Sequence, residues 1–125
     1  MEVFIVDTNE FECNVLKDFV RDLGHSVSAC TEVPASVEEC CGDGKKPDIL
    51  LLGIPATGSE GRSYVEQMAS VCPDIPLIAV ADIGFMVPKE SVLSQHIFAF
   101  VRRPLQLEEL DFLLSRFGEA SARER

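Results

Sequence analysis

The stretch Pro47-Asp-Ile-Leu-Leu-Leu-Gly53 places an unbroken run of four aliphatic residues before a glycine. An apolar run of this length that does not alternate with polar residues is typical of a strand covered by helices on both faces. Similar runs lie at Val3–Val6, Pro76–Val80 and Ile97–Val101, and a weaker strand is predicted at Ser26–Cys30. The sequence therefore predicts five strands in one sheet.

Segments with helical spacing separate these strands. The clearest of them begins near Asp7, Thr8 or Asn9, where a side chain can cap a helix, and ends at Gly24. Its predicted inward stripe consists of Val15, Leu16, Phe19, Val20 and Leu23.

The remaining predicted helices are bounded by glycine or proline. The first holds Val37, Cys40 and Cys41 on one face before Gly42, and the second runs from Ser59 to Val71 with Tyr64, Val65 and Met68 inward. The third runs from Pro88 to Leu93. The last carries Leu107, Leu110, Leu113, Leu114 and Phe117 and stops at Gly118.

Strands that alternate with helices in the order βαβαβαβαβα indicate an α/β domain, because parallel strands need crossover connections. We predict a doubly wound, five-stranded parallel sheet with a flavodoxin-like, three-layer α/β/α architecture. Residues 1–118 are expected to form one domain, and residues 119–125 a polar tail or the start of a linker.

Charge and cysteine content limit the possible functions. Eleven basic against twenty-one acidic residues give a net charge of −10, which disfavours direct contact with a nucleic-acid backbone. The five cysteines include no C-x-x-C pair and are expected to be reduced, and a disulfide between the adjacent Cys40 and Cys41 would be strained. No apolar run approaches the ~20 residues that span a bilayer, and the first residues do not resemble a signal peptide, so a cytoplasmic location is expected.

Ligands of open parallel sheets bind beyond the carboxyl ends of the strands. Asp7 stands at the end of the first predicted strand and Gly53 at the end of the third. Ala81 and Asp82 follow the fourth strand, and Arg103 follows the fifth. These positions define the candidate site.

Several motifs stand at or beside the strand ends. They are Ile5-Val6-Asp7, Asp22-Leu23-Gly24-His25, Pro47-Asp-Ile-Leu-Leu-Leu52 with Ile54 and Gly61 beyond it, Ile75-Pro-Leu-Ile-Ala-Val80, and Arg103-Pro104 before Leu107-Glu-Glu-Leu110. Together they resemble the receiver domains of bacterial two-component response regulators over nearly all of residues 2–117. The resemblance implies the same fold and a role in phosphorelay signal transduction.

The resemblance also implies a phosphorylation pocket in which most of the family's functional groups are replaced. Receivers carry a second acid where Thr8 stands, the phosphate-accepting aspartate where Gly53 stands, a hydroxyl at the position of Ala81 and a lysine at that of Arg103. The degenerate pocket comprises Asp7, Thr8, Gly53, Ala81, Asp82 and Arg103.

Glycine has no side chain, so an acyl phosphate cannot form at residue 53. Magnesium is usually held by one or two carboxylates together with substrate phosphate, and Asp7 alone remains of the family's usual acids. No metal, no other cofactor and no catalytic residue is therefore expected.

Arg103 keeps a positive charge and adds a planar fork that can grip a carboxylate. We expect it to pair with Asp7 or Asp82, the alternative being a solvent-facing arginine beside Pro104. Phe100 stands at the family's switch-aromatic position. Because Ala81 offers no hydroxyl to a phosphoryl group, Phe100 is interpreted as a core residue or as the remnant of a gate.

His25 and His96 are single histidines without a partner motif. Neither is expected to transfer phosphate or to bind a metal.

The predicted function is that of a pseudo-receiver, a non-enzymatic protein-interaction module that works without phosphorylation. The resemblance points to residues 88–117, the α4-β5-α5 face of receivers, as the surface for a homodimer or another protein partner, with no nucleic acid and no membrane involved. One alternative is the N-terminal regulatory domain of a longer response regulator, controlling an effector attached beyond Arg125. Another is a flavodoxin-like enzyme or cofactor binder, for which the sequence offers no catalytic dyad or phosphate-binding motif.

Overall fold

The computed structural model describes residues 1–40, 45–55, 60–82, 85 and 95–123, without the side chains of residues 37, 60 and 120–123. Strands and helices alternate along the described chain. The elements are β1 (Glu2–Asp7), α1 (Glu10–Asp22), β2 (Ser26–Cys30), a 3-10 turn (Val37–Cys40), β3 (Ile49–Gly53), α2 (Glu60–Val71), β4 (Leu77–Ala81), β5 (Ile97–Arg102) and α3 (Leu107–Arg123).

All five strands join one parallel sheet in the order β2-β1-β3-β4-β5. The order places β1 and β3 side by side, with Asp7 directly opposite Gly53 in the register. Chain progression reverses between these two strands, so their carboxyl ends mark the switch point where such sheets bind ligands. The predicted doubly wound fold is confirmed.

The sheet separates two buried clusters, because successive strand side chains point to opposite faces. One cluster contains Leu16 of α1 and Leu110 and Leu114 of α3. The other contains Val65 and Met68 of α2. Helices therefore cover both faces, which explains why β3 and β4 are apolar at every position.

Helix α1 begins and ends at residues that the sequence indicated. The Asn9 side chain accepts a hydrogen bond from the Glu12 amide at 3.0 Å, which caps the helix, and Gly24 has a φ of 97° just beyond its end. The predicted inward stripe was wrong at Val15, which is 39% exposed. Cys13 is buried instead, because positions 13, 16 and 20 share the face turned to the sheet.

Two other helix predictions differ from the structure. The segment expected to hold Cys40 and Cys41 on a helix forms only the four-residue 3-10 turn, and Cys41 lies outside the described residues, as does the predicted helix Pro88–Leu93. The predicted stop at Gly118 was wrong, because α3 continues to Arg123. A glycine inside a helix costs only about 1 kcal/mol, and Gly118 stays in the helix beside Met1.

Strand β5 carries one irregularity that shapes the surface. Leu77 pairs with Ile97 and Ile78 with Ala99, so Phe98 is an extra residue in the ladder. Phe98 is 42% exposed and its ring meets that of Phe117 edge-on at 5.3 Å.

No helix of the described part of the chain is long and apolar enough to cross a membrane.

Candidate functional site

The carboxyl ends of β1, β3, β4 and β5 bring most of the predicted site residues together. Asp7 lies beside Gly53 in the sheet, and Arg103 contacts Asp82. Thr8 is exposed and lines a separate polar groove of about 390 Å³ with Tyr64 of α2. The structure therefore assembles the predicted pocket without Thr8.

The Asp7 carboxyl group fills the space above Gly53. Asp7 is only 2% exposed and is a buried charged residue. A Cβ atom built on Gly53 would overlap the carboxyl carbon and Oδ2 of Asp7. The room that a side chain at residue 53 would need is already occupied, so the missing acid has left no cavity at this point.

The two oxygens of Asp7 have different surroundings. Oδ1 accepts a hydrogen bond from the Asn9 amide at 2.9 Å, whereas Oδ2 has no hydrogen-bond partner among the described residues. Burial raises the pKa of Asp7, and the charge of Glu12 raises it further, while the Asn9 amide and the charge of Arg103 lower it. The net effect is a raised pKa, so this carboxyl group holds its proton more tightly than an exposed aspartate.

Arg103 makes hydrogen bonds to three other residues at these strand ends. Its Nη2 donates to Glu12 Oε2 at 3.2 Å, and its Nη1 donates to the Ile54 carbonyl at 2.7 Å and to Asp82 Oδ1 at 3.4 Å. The expected pairing with Asp82 is confirmed, whereas Asp7 is influenced by the charge of Arg103 without accepting a hydrogen bond from it. The guanidinium is 19% exposed, so the solvent-facing alternative is wrong.

Sequence reasoning missed Glu12. It follows the capping residue Asn9 by three positions, and an acid there is a common companion of a helix cap. That spacing signalled a residue at the start of α1, on the same edge of the sheet as Asp7. It did not show that Glu12 would pair with an arginine 91 positions later in the chain.

The second residue that sequence reasoning missed at the site is Arg102, which lies beside Phe100 at the switch-aromatic position. Nη1 of Arg102 donates to the backbone carbonyls of Asp82 at 2.9 Å and Phe85 at 2.7 Å. The same guanidinium lies 5.0 Å from the ring centre of Phe100, and the Phe85 ring lies 6.2 Å away on an inclined plane. Phe100 is therefore a partly buried residue enclosed by Arg102, Phe85 and the α2-side core.

A scan against models of protein families and a search of curated proteins both give no match. Solved structures match over almost the whole chain. A response regulator receiver domain from Clostridium thermocellum gives a TM-score of 0.76 at 11% identity, covering 99% of this chain and 98% of that one. The chain has the receiver fold.

Other solved receiver-like structures agree. The N-terminal domain of a response regulator/sensory box/GGDEF protein from Carboxydothermus hydrogenoformans gives a TM-score of 0.69 at 17% identity over 100% of both chains. A Burkholderia thailandensis protein assigned to pilus assembly gives 0.72 at 17% identity, covering 95% of this chain and 98% of that one. Identities this low establish the fold alone, so the function has to be inferred from the residues of the site.

The residues at these strand ends do not fit a magnesium ion, which is the metal that the resemblance to receiver domains implies. Asp7 is the carboxylate that lies against Gly53, and burial disfavours its charged form. Arg103 places a cation between Glu12 and Asp82. Within the described ranges, no group of three or more histidine, cysteine or acidic side chains is arranged to hold a metal ion.

The two histidines lie at the amino ends of β2 and β5, away from the carboxyl ends that form the site. Nδ1 of His25 is 3.2 Å from the amino group of Met1, and burial lowers the His25 pKa. The His96 carbonyl accepts the Leu77 amide at 2.9 Å as β4 begins. Their lack of a phosphotransfer or metal role stays a prediction.

Replacing the buried acid tests the electrostatics of the site. The raised pKa means that the native state binds the Asp7 proton more tightly than the unfolded chain, whose value is near 3.8. Asp7 therefore lowers stability above its folded pKa, and this cost vanishes as the pH falls below 3.8. Asp7→Asn is expected to raise the free energy of unfolding by about 1 kcal/mol at pH 8, with no gain near pH 3.5.

Urea unfolding at a series of pH values measures this difference. Asp18→Asn serves as the matched control, since the Asp18 side chain is 71% exposed. An equal change at both ends of the pH series would contradict the assignment of the effect to the charge of Asp7.

Proposed function

We propose that this chain is a pseudo-receiver, a protein-interaction module of bacterial two-component signalling that works in the cytoplasm without phosphorylation and without catalysis. The observation that carries the proposal is the Asp7 carboxyl group packed over Gly53. Residue 53 supplies no oxygen for an acyl phosphate, and the space for one is filled.

The cation geometry supports the same proposal. A receiver that switches needs its lysine to gain and lose a phosphoryl partner. Here Arg103 has three acceptors, on Glu12, Asp82 and the backbone of Ile54. Because Arg103 already makes these hydrogen bonds without a phosphate, a phosphoryl group would gain little free energy by binding it.

The aromatic position supports it as well. Ala81 is fully buried and has no hydroxyl that could follow a phosphoryl group. Arg102 and Phe85 hold Phe100 from outside the core. The two-state movement that depends on such a hydroxyl therefore has no trigger here, and Phe100 already contacts Arg102 and Phe85.

Chemical phosphorylation tests the proposal directly. Incubation with magnesium and an acyl-phosphate donor is expected to leave the intact mass unchanged, because residue 53 is glycine and Asp7 is buried. Mass spectrometry under acidic, cold conditions measures the result, with an active receiver domain as positive control. A stoichiometric, hydroxylamine-sensitive phosphoryl adduct would overturn the pseudo-receiver assignment.

The surface of β5 and α3 is the proposed docking face. It presents Phe98 and Phe112, which are 42% and 58% exposed, and the Arg116 guanidinium lies 5.6 Å from the Phe112 ring centre. Exposed aromatics stacked with arginine are typical of interface anchors. Mixed charge from Arg102, Arg116, Glu108, Glu109 and Asp111 would set the register of a partner.

The partner on this face is a protein: a second copy of the chain, a separate protein or an attached effector domain. Sedimentation of the purified chain over a range of concentrations measures the first case. Phe112→Ser is expected to weaken self-association at least tenfold, since the ring contributes contact area without supporting the core.

Phe11→Ser is the matched control for Phe112→Ser, because Phe11 is 76% exposed on α1. Weakening by Phe11→Ser with no effect of Phe112→Ser would move the docking face to α1. A chain that stays monomeric at all concentrations would leave an attached effector or a separate protein as the partner.

A further inference from the structure

Two buried thiols meet on the α2 side of the sheet. Cys40 ends the 3-10 turn and Cys72 is the first residue after α2, 32 positions further along the chain. Their sulfur atoms are 3.6 Å apart, and each residue is only 2% exposed. Both belong to the core cluster that contains Val65 and Met68.

A disulfide bond between Cys40 and Cys72 requires only a small movement of the two sulfurs. A disulfide bond is about 2.05 Å long, so the sulfurs would have to approach by about 1.5 Å. The 3-10 turn is short, with the Glu39 amide bonded to the Ser36 carbonyl at 3.2 Å. A four-residue turn has fewer backbone hydrogen bonds to rearrange than a strand inside the sheet, so we expect the movement at Cys40.

The other two described cysteines are arranged differently. Cys13 packs in the α1-side cluster, whereas Cys30 packs against the α2-side cluster, so the sheet separates their side chains. Cys13 Sγ lies 3.7 Å from the Cys30 carbonyl, and Cys30 Sγ lies 2.8 Å from the Glu32 carbonyl. Burial raises the pKa of both thiols, and each of these sulfurs contacts a backbone carbonyl, whereas the Cys40 and Cys72 sulfurs contact each other.

We propose that Cys40 and Cys72 are an oxidisable pair that forms a reversible disulfide on exposure to a peroxide. One thiolate attacks a peroxide oxygen, the O–O bond breaks, and the sulfur becomes a sulfenic acid while one oxygen leaves as water or alcohol. The second thiolate attacks the sulfenic sulfur, the S–O bond breaks, and water leaves. The two thiols lose two electrons and two protons, and the peroxide is reduced.

The burial of the pair selects the class of oxidant. A bulky disulfide such as that of glutathione would have to place a tripeptide inside the core, whereas hydrogen peroxide is close to water in size. Opening of the 3-10 turn would expose Cys40 first, and the adjacent Cys72 would then resolve the sulfenic acid.

The bond would join the connection between β2 and β3 to the end of α2. Because it closes a long loop, oxidation is expected to raise the melting temperature by roughly 10 °C. A reductant should reverse this shift.

Peptide mapping tests the proposal on the intact chain. Trypsin is expected to release residues 22–45, which contain Cys30, Cys40 and Cys41, and residues 63–89, which contain Cys72. After treatment with hydrogen peroxide and alkylation, these peptides are expected to be linked, with the mass of both peptides less two hydrogens plus one alkyl group on each of Cys30 and Cys41. Fragmentation of the linked peptide identifies which of the three cysteines is bonded.

Variants separate the possible partners of Cys72. Cys40→Ser and Cys72→Ser should abolish the link and the thermal shift, whereas Cys30→Ser and Cys41→Ser should retain both. A link that fragmentation assigns to Cys30 or Cys41, or its persistence in Cys40→Ser, would overturn the proposal. So would unlinked peptides after peroxide treatment of the wild-type chain, a result that does not depend on any variant folding.

Discussion

Gly53→Ala is expected to destabilise the fold by about 2 to 3 kcal/mol, an unusually large loss for one added methyl group. The new Cβ atom would overlap the Asp7 carboxyl group, and Asp7 is buried, with only 2% of its surface exposed. Overpacking of a filled interior typically costs this much. The free energy of unfolding in urea, compared with that of the wild-type chain, measures the effect.

Gly118→Ala is the matched control, because it makes the same chemical change where space is open. A Cβ atom there would meet only Met1, with Sδ at 3.7 Å, and the residue lies inside α3. This variant is expected to stabilise the fold by about 0.5 to 1 kcal/mol. A loss at Gly53 no larger than 0.5 kcal/mol would contradict the overlap with Asp7.

Asp7→Ala combined with Gly53→Ala locates the cause of the loss. If the carboxyl group obstructs the methyl group, removing it should rescue part of the stability, and the double variant should be more stable than the sum of the single changes predicts by about 1 to 2 kcal/mol. Strict additivity would place the strain elsewhere.

The overlap between Asp7 and a Cβ atom at residue 53 also affects any attempt to introduce a phosphorylation site. Gly53→Asp supplies the acid that receivers phosphorylate, but its Cβ atom meets the same obstruction. The variant is expected to remain unphosphorylated by an acyl-phosphate donor. Full phosphorylation and switching in this single variant would show that Thr8, Ala81 and the position of Asp7 matter less than the structure implies.

Arg103→Met is expected to destabilise the protein by about 2 kcal/mol at neutral pH. The change keeps an apolar stem but removes the cation that Glu12 and Asp82 share and the donor to the Ile54 carbonyl. Breaking a fully buried pair costs more, but the carboxylates here are 40% and 46% exposed, and solvent screens part of the loss.

The loss in Arg103→Met should shrink on acidification. Arg103 lowers the Asp7 pKa, so its removal raises that pKa further and makes the charged form of Asp7 more costly. Protonation below the folded pKa of Asp7 removes this cost. Unfolding measured at pH 4 and pH 8 checks the direction.

Arg21→Met is the matched control for Arg103→Met. The Arg21 side chain is 59% exposed and forms only a loose pair with Asp18 at 3.8 Å, so its removal should cost less than 0.5 kcal/mol. Equal losses in the two variants would contradict a special role for the contacts of Arg103.

The five strands and their doubly wound parallel arrangement could be predicted from sequence because parallel buried strands have a simple pattern. The runs at β1, β3 and β4 are apolar at nearly every position, and helical spacing between them leaves few topologies. Gly24 also acted as predicted, since its backbone needs a positive φ. The prediction failed at Gly118, because a glycine inside a helix costs only about 1 kcal/mol and α3 continues past it.

The site was predicted in part for a similar reason. Strand ends fix where Asp7, Gly53 and Asp82 lie, so sequence position was sufficient to group them. Side-chain direction was not predictable, because Arg103 could reach several acids and selected Asp82 and a residue on α1. The packing of Asp7 over residue 53 follows from three-dimensional crowding, which no local pattern records.

The crowded position at residue 53 has an evolutionary consequence. A glycine codon that ends in a pyrimidine becomes an aspartate codon by one nucleotide change, so mutation alone does not bar an acid at this position. The resulting protein would nevertheless be destabilised until the Asp7 side chain took another position, because the two side chains compete for one volume. A mutation to an acid at residue 53 would thus be harmful on its own, and selection would tend to keep the glycine.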